Sequence, residues 1–442
     1  MGVGERGYIM TLTTSLMIIT VLSLVLFYLD ASSPSMEDAS DMMTLSEMHY
    51  YAASLKKDAG RAVTIAAQRA ATYATNHVML TGEDFGGYGM RNCSDYNYSM
   101  VGSGAAIGEL MVCGTLLNAV QPTSDIGMYM ENNTINEWVN KTNNNRGLPY
   151  TTTVRFRNLT LAMYDSWHLV VVSEFDFNIT DPTGRNGYRY YYSPIISLVD
   201  IKALEDPMQD VRFGLPTAAR TYDACESARV VNGTVLDGWV ESGCYHSAPS
   251  YLNSPSFLDR LEARVNLSDK GFRHSGEVMA AMNYTLGDIG LESMVNLDGL
   301  RTYGYLGNSN LSNVDYMYWN GINSTCMVKG MEKHPGLRID WQHSKFYGVV
   351  GLTCTVDVTT GGLGEAVFYP TDVIVPYSSE VVWVEKSGSS YSVTSGLLWS
   401  GVRSLPAYGA LAQPFNVSVG VYAVGFQPDG GGPQRFSFVK VL

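Results

Sequence analysis

Residues Gly7–Leu29, GYIMTLTTSLMIITVLSLVLFYL, run for 23 positions without a charged side chain before Asp30 closes them. At 1.5 Å of rise per residue a helix of that length spans roughly 34 Å, enough to cross a hydrocarbon core. Thr11, Thr13, Thr14 and Thr20 fit such a span, because each hydroxyl can bond back to a carbonyl one turn earlier. The run is apolar on every face, unlike the helix of a water-soluble core that shows one polar side. A cleaved secretory signal peptide is the alternative, with Ala31-Ser32-Ser33 as a passable cleavage site. Length and lack of charge favour a membrane anchor.

The flanks orient it. Arg6 and the terminal amine precede the run, whereas Asp30, Glu37, Asp38 and Asp41 follow it, with no Lys or Arg before Lys56. The positive-inside bias therefore puts residues 1–6 in the cytoplasm as a short leader and exports the rest. Asn-x-Ser/Thr sequons fall at Asn92, Asn97, Asn132, Asn140, Asn158, Asn178, Asn232, Asn266, Asn283, Asn310, Asn323 and Asn416, twelve of 25 asparagines. Chance would give roughly four, and all lie beyond the anchor as glycosylation candidates. Six cysteines lie there too, with no C-x-x-C among them. Cys93 with Cys113, Cys225 with Cys244, and Cys326 with Cys354 are neighbours in sequence, so local pairing is expected out of fifteen connectivities. Each bridge would close a loop of roughly 20 to 30 residues, contributing about 3 kcal/mol by the chain-entropy model.

A formal charge of −13 argues against nucleic acid or anionic lipid headgroups as partners. Membrane lipid around the anchor is the implied contact. With 442 residues, 44 Gly and 29 Tyr, the exported part has room for two or three β-rich domains. The expected class is α+β, with the transmembrane helix continued by a long Ala-rich helix over 30–80. Pro34 should break the chain between the two. Ala52, Ala59, Ala62, Ala66 and Ala70 mark one face of the second helix, small enough for close packing on the protein's own head or on other copies.

An α+β head is expected over 81–205, with helices near 103–120 and Ile135–Lys141. Three strand-like stretches follow: Thr151–Asn158, Leu159–Ala162 running into Trp167–Asn178, and Tyr188–Ile201. A mixed, β-rich region covers 206–361 and contains a short helix at Ser256–Val265. Short alternating strands in 362–442 predict an immunoglobulin-like sandwich without the antibody cysteine pair.

Chemistry is sparse. The seven histidines form no H-E-x-x-H and sit at no metal-ligand spacing with a Cys. No P-loop and no G-x-S-x-G elbow occurs. Gly102-x-Gly104-x-x-x-Gly108 only superficially suggests a phosphate loop, since no strand precedes it. Asp181–Gly187 reads as a turn before it reads as a calcium loop. Tyr188-Arg189-Tyr190-Tyr191-Tyr192 suggests either a sugar platform or a strand face buried under a helix. No catalytic residue, cofactor or metal is assigned.

Glu5-Arg6-Gly7 followed by Tyr8-Ile9-Met10-Thr11-Leu12 and the apolar run resembles the class III signal of archaeal type IV pilin-like proteins. That resemblance implies cleavage between Gly7 and Tyr8, an anchor that bundles with other pilin-like subunits, and a head presented at the cell surface. Leu204-Glu205-Asp206-Pro207 and Ser256–Glu262 look similar to blocks in large archaeal surface proteins with this N-terminus. Two departures stand out: the Glu precedes the glycine, and the head is large for a bulk subunit. A pilin-like structural or adhesion protein contacting glycans or other cells is the implied function. The alternatives are an anchored glycan-acting hydrolase and a cell-envelope structural subunit.

Overall fold

The computed structural model describes residues 4–32, 36–89, 100–116, 129–144, 150–208, 220–228, 230–268, 287–305, 307–360, 365–375, 379–395, 398, 402–415, 420–429 and 433–441. In chain order these begin with α1 (Gly4–Ser32), α2 (Met36–Thr81), α3 (Ser103–Cys113), α4 (Ile135–Asn144), β1 (Thr151–Met163), β2 (His168–Thr180) and β3 (Gly187–Asp200). They form two compact units interleaved in sequence. The first takes Met1–Arg61, Glu137–Arg157 and Glu174–Ile195; the second takes Ala62–Asn136, Asn158–Ser173 and Ile196–Leu442.

α1 contains the quoted apolar run. Within it, Thr11–Asp30 is long and apolar enough to cross a membrane, and none of it is buried by the rest of the chain. Thr20 Oγ1 donates to Leu16 O at 3.0 Å, the back-bond expected of a hydroxyl in an apolar helix. The break expected at Pro34 lies outside the described residues. α2 runs from Met36 to Thr81, close to the expected 30–80.

That stripe is covered. Within the first unit Met48, Ala52, Leu55 and Ala59 are buried, and Gly60 faces Ile195 of β3. Trp138 of α4 donates to Asp58 at 3.0 Å, its ring meets Phe175 edge-on at 5.8 Å, and Phe156 and Phe175 lie tilted with centroids 5.3 Å apart. Farther along α2, in the second unit, Val63, Ala66, Ala67, Ala70 and Ala74 are fully buried, whereas Ala62 is only half-buried. The alanines therefore serve the protein's own head.

The three strands form one sheet in the order β1-β2-β3. Leu159–Ala162 belongs to β1 and not, as its sequence suggested, to the middle strand. The turn at 164–167 explains why: Tyr164 N donates to His168 O at 2.9 Å, and the Asp165 carboxylate accepts from Trp167 N at 2.7 Å.

The second unit continues with α5 (Gly233–Ser242), β4 (Tyr245–Ala248), α6 (Phe257–Leu261), β5 (Gly290–Ser293), α7 (Leu297–Thr302), α8 (Asp315–Trp319), β6 (Cys326–Val328) and α9 (Trp341–Tyr347). α6 is much shorter than the expected helix. A capping box of Ser256 and Asp259 opens it, and Ala263 at φ 53° forces the chain away soon after. α3 is buried along almost its whole length.

The C-terminal region holds β7 (Leu352–Thr360), β8 (Ala366–Tyr369), β9 (Asp372–Val375), β10 (Ser379–Glu385), β11 (Tyr391–Thr394), β12 (Val402–Leu405), β13 (Ala410–Phe415), β14 (Gly420–Pro428) and β15 (Arg435–Val441). One sheet runs β13-β10-β7-β6 with β8 on β7, the other β12-β11-β14-β15-β9. Phe368 and Trp383 of the first meet Phe426 of the second at 5.0 and 5.9 Å, and Trp383 Nε1 reaches Ser437 at 3.2 Å. Two features depart from the immunoglobulin-like expectation. β7 pairs with β10 in parallel, and β9 with β15 likewise. β6 and β7 also precede 362, so the domain break expected there falls inside a shared sheet. β7 alternates buried and half-buried positions as fully as its neighbours do, which is why it joins them.

Because Ala66 is already in close contact within its own fold, Ala66→Leu should overpack the head and cost about 1–3 kcal/mol. Urea denaturation of the purified protein checks this. An unchanged midpoint would mean the site has room that its burial denies.

Candidate functional site

Among the described residues, titratable side chains converge in two adjoining places of the second unit. The deeper is built on Arg260 of α6, which is 1% exposed. Its guanidinium donates to Asp206, to Asp315 at 2.8 Å and to the Leu291 carbonyl of β5. Tyr245 OH donates to Asp206 at 2.7 Å, and Ser293 Oγ to Asp315 at 3.1 Å. Burial pushes the Asp315 carboxyl up against the pull of Arg260, and burial likewise pushes the Tyr222 and Tyr245 phenols up. The stretches Leu204–Pro207 and Ser256–Glu262 thus meet through Asp206 and Arg260.

Next to it, Glu292 is fully buried and accepts from Ser254 and Tyr347. His343 Nε2 lies 3.3 Å from Glu292 and 3.0 Å from Tyr316 OH, while its Nδ1 pairs with Asp340. Burial alone would lower the imidazole. The hydrogen bonds and charges of Asp340 and Glu292 outweigh burial and raise it to about 10. Asp340 also caps α9 by accepting from Gln342 N and His343 N. An Asp-His-Glu series suggests catalysis on paper, but each member is already bonded inside the fold.

The second unit also holds a cavity of about 560 Å³. Its wall includes Cys225, Cys244, Glu226, Thr234 and Trp239. Cys225 and Cys244 are joined, as are Cys326 and Cys354, matching the expected local pairs. Cys113 is bridged too, and its expected partner Cys93 lies outside the described residues. Cys225, Cys244 and His246 each bring a ligand-type atom within 4.8 Å of the others. With the sulfurs bonded to each other they offer no thiolate, so the cluster in this state is no metal centre.

The remaining sequence candidates separate clearly. Asn132, Asn140, Asn158, Asn232, Asn266, Asn310 and Asn323 are exposed, and Asn178 is half-buried. Asn92, Asn97, Asn283 and Asn416 lie outside the described residues. The Gly7–Tyr8 point falls within α1. The glycine loop before α3 holds a carboxylate: Ser103 N donates to Glu262 Oε1 at 2.9 Å, and a Cβ on Gly102 would collide with that group. The Asp181 carboxylate is taken up by its own turn, accepting from Thr183 and Asn186. Tyr188 OH bonds His49 of α2 at 2.9 Å, whereas Tyr191 and Tyr192 stay exposed.

No family model matches the chain, and no curated protein matches it. Among solved structures, it is similar over 20% of its length to a purple cupredoxin from Nitrosopumilus maritimus. The identity is 17%, the TM-score 0.16, and 98% of that chain is covered. Reduced and oxidised variants of amicyanin match the same share at 14% identity and TM-score 0.16, with 82% of those chains covered. Likeness at that score carries no argument about this protein.

Two expectations follow from the buried groups. Arg260→Leu leaves Asp206 and Asp315 without their cation and should destabilise the protein by about 3–5 kcal/mol, read as the shift in urea midpoint. His343 titrates near 6.5 when unfolded and about 10 when folded. Its stabilisation is therefore complete below about pH 6.5 and lost as pH rises through about 10. His343→Gln should cost most at pH 6 and progressively less toward pH 10; a pH-independent cost would contradict a charged imidazolium.

Proposed function

We propose that this chain is an exported, membrane-anchored surface protein of the type IV pilin-like kind, with α1 in lipid and the residues after it outside the cell. One observation carries the reading. Thr11–Asp30 exposes Leu16, Ile19, Leu22, Leu26, Phe27 and their neighbours on all sides, while the rest of the chain buries residues of the same types. Water disfavours such a surface strongly, and a bilayer or a bundle of like helices covers it.

The sequons and cysteines support the outward placement of the remainder. No described sequon asparagine is buried, whereas Asn313, which belongs to no sequon, is 4% exposed. A bulky glycan requires that difference. Bridged cysteines fit an oxidising compartment. With the α2 alanines occupied by the protein's own fold, α1 is the element left to associate with other subunits. The role that follows is structural or adhesive. For a hydrolase, the converging carboxylates Asp206, Asp315 and Glu292 would have to face a cleft, and all three are buried and bonded.

Protease added to intact cells should remove the bulk of the chain, and N-terminal sequencing of the native protein should find Tyr8 first. Full protection of the chain alongside cytosolic markers would refute export. A mature chain that starts after residue 30 and is released from membranes would refute anchoring.

A further inference from the structure

The two described disulfides sit in opposite surroundings. Cys326–Cys354 ties β6 to β7 with both residues buried in the core that lines the two sheets. Cys225–Cys244 lines the 560 Å³ cavity, with Cys225 half-buried and Cys244 behind it at 7% exposure. A nitrogen of His246 lies within 4.8 Å of both sulfurs. The ring is held between Trp239 and Tyr347, its centroid 4.2 and 4.7 Å from theirs. Its Nε2 is buried without a hydrogen-bond partner, a costly arrangement in a fold that satisfies most such atoms. Arg220 packs across Gly243, the residue before Cys244, closely enough that a Cβ there would strike the guanidinium. A cavity, a half-buried cysteine, an imidazole with an unpartnered nitrogen and a nearby cation therefore coincide at this bridge.

We propose that Cys225–Cys244 is a thiol-exchange site that accepts a low-molecular-weight thiol through this cavity. The thiol sulfur attacks Cys225 Sγ, the Cys225–Cys244 bond breaks, and the electron pair leaves on Cys244. The proton released by the thiol passes to His246 and then to the Cys244 sulfur. One disulfide is consumed and one mixed disulfide on Cys225 is formed, so the step needs no further oxidant. A second thiol molecule attacking that mixed disulfide releases the symmetric disulfide and leaves Cys225 and Cys244 reduced. Burial lowers His246 to about 4 while the bridge is closed, and the imidazole is neutral. A thiolate formed within 4.8 Å pushes it back up, because an adjacent anion favours the imidazolium. Attack on Cys225 follows from access, since exchange rates depend on which sulfur can be reached.

The test uses the full chain in detergent micelles, folded, with glutathione as the thiol. Aliquots are quenched in acid, alkylated and mapped by mass spectrometry. Cys225 and Cys244 should be modified at least about tenfold faster than Cys326 and Cys354. Cys244→Ser, given glutathione disulfide instead, should accumulate glutathione on Cys225 with release of one glutathione thiol, because no internal thiol remains to expel it. His246→Gln should slow opening in the folded protein about tenfold while leaving the rate in about 6 M guanidinium unchanged. Equal opening of both bridges, at the rate of global unfolding, would overturn the proposal. So would a His246→Gln variant, folded by its circular dichroism, that exchanges as fast as the natural protein.

Discussion

The second unit depends on a single guanidinium. Arg260 is buried beyond the reach of water and faces two carboxylates from distant stretches of the chain, Asp206 and Asp315, together with a carbonyl of β5. Taking such charges out of water costs several kcal/mol per ion, which only dense pairing returns. The planar fork of five donors suits the task, because each carboxylate and the carbonyl can be met without moving the others. Two acids against one cation still leave an excess of negative charge. The raised carboxyl of Asp315 and the donated hydroxyls of Tyr245 and Ser293 absorb that excess. Four segments are thereby fixed to one point, and the layer containing Glu292 and His343 is laid down beside it.

The same economy of charge operates at the start of α3, where the glycine pattern superficially resembles a phosphate loop. The N–H groups at a helix start attract an anion. Here the fold supplies that anion internally, from Glu262 just past α6, and Gly102 in its left-handed conformation makes room for it. Arg264 pairs with the other oxygen of Glu262 at 2.7 Å. A glycine pattern records only that something approaches the backbone closely; whether a ligand or a side chain does so depends on residues far along the sequence.

Local signals were legible and distant ones were not. An uninterrupted apolar run, a 3.6-residue stripe of alanines and short cysteine spacings each announce themselves within a few dozen residues, and α1, α2 and the Cys225–Cys244 and Cys326–Cys354 bridges follow from them. The stripe left open whether the helix met its own head or another copy, because small residues suit both; burial of Ala59 and Ala66 within one chain resolves it. The candidate site was illegible for the opposite reason. Asp206 and Arg260 are 54 positions apart, and Glu292 and His343 are 51 apart, so no window of sequence contains their chemistry. Cys225, Cys244 and His246 lie nearer one another, but the spacing resembles no metal motif, and only the fold places the ring beside the sulfurs. The membership of β7 in the final sheets was missed because a glycine-rich stretch after Thr360 reads as a boundary although the strand before it pairs with β10.

The parallel pairing of β9 with β15 bears on how the protein is made. β9 finds its neighbour only when residues 435–441 arrive, and β14 takes its second neighbour from the same strand. Until β15 is present the earlier strands must wait with an open edge, and such edges recruit other chains. β9 is only four residues long, which limits what a stray strand can bind. Closure of this region thus waits on β15, and a chain cut before residue 435 keeps a sheet with no seam between β9 and β14.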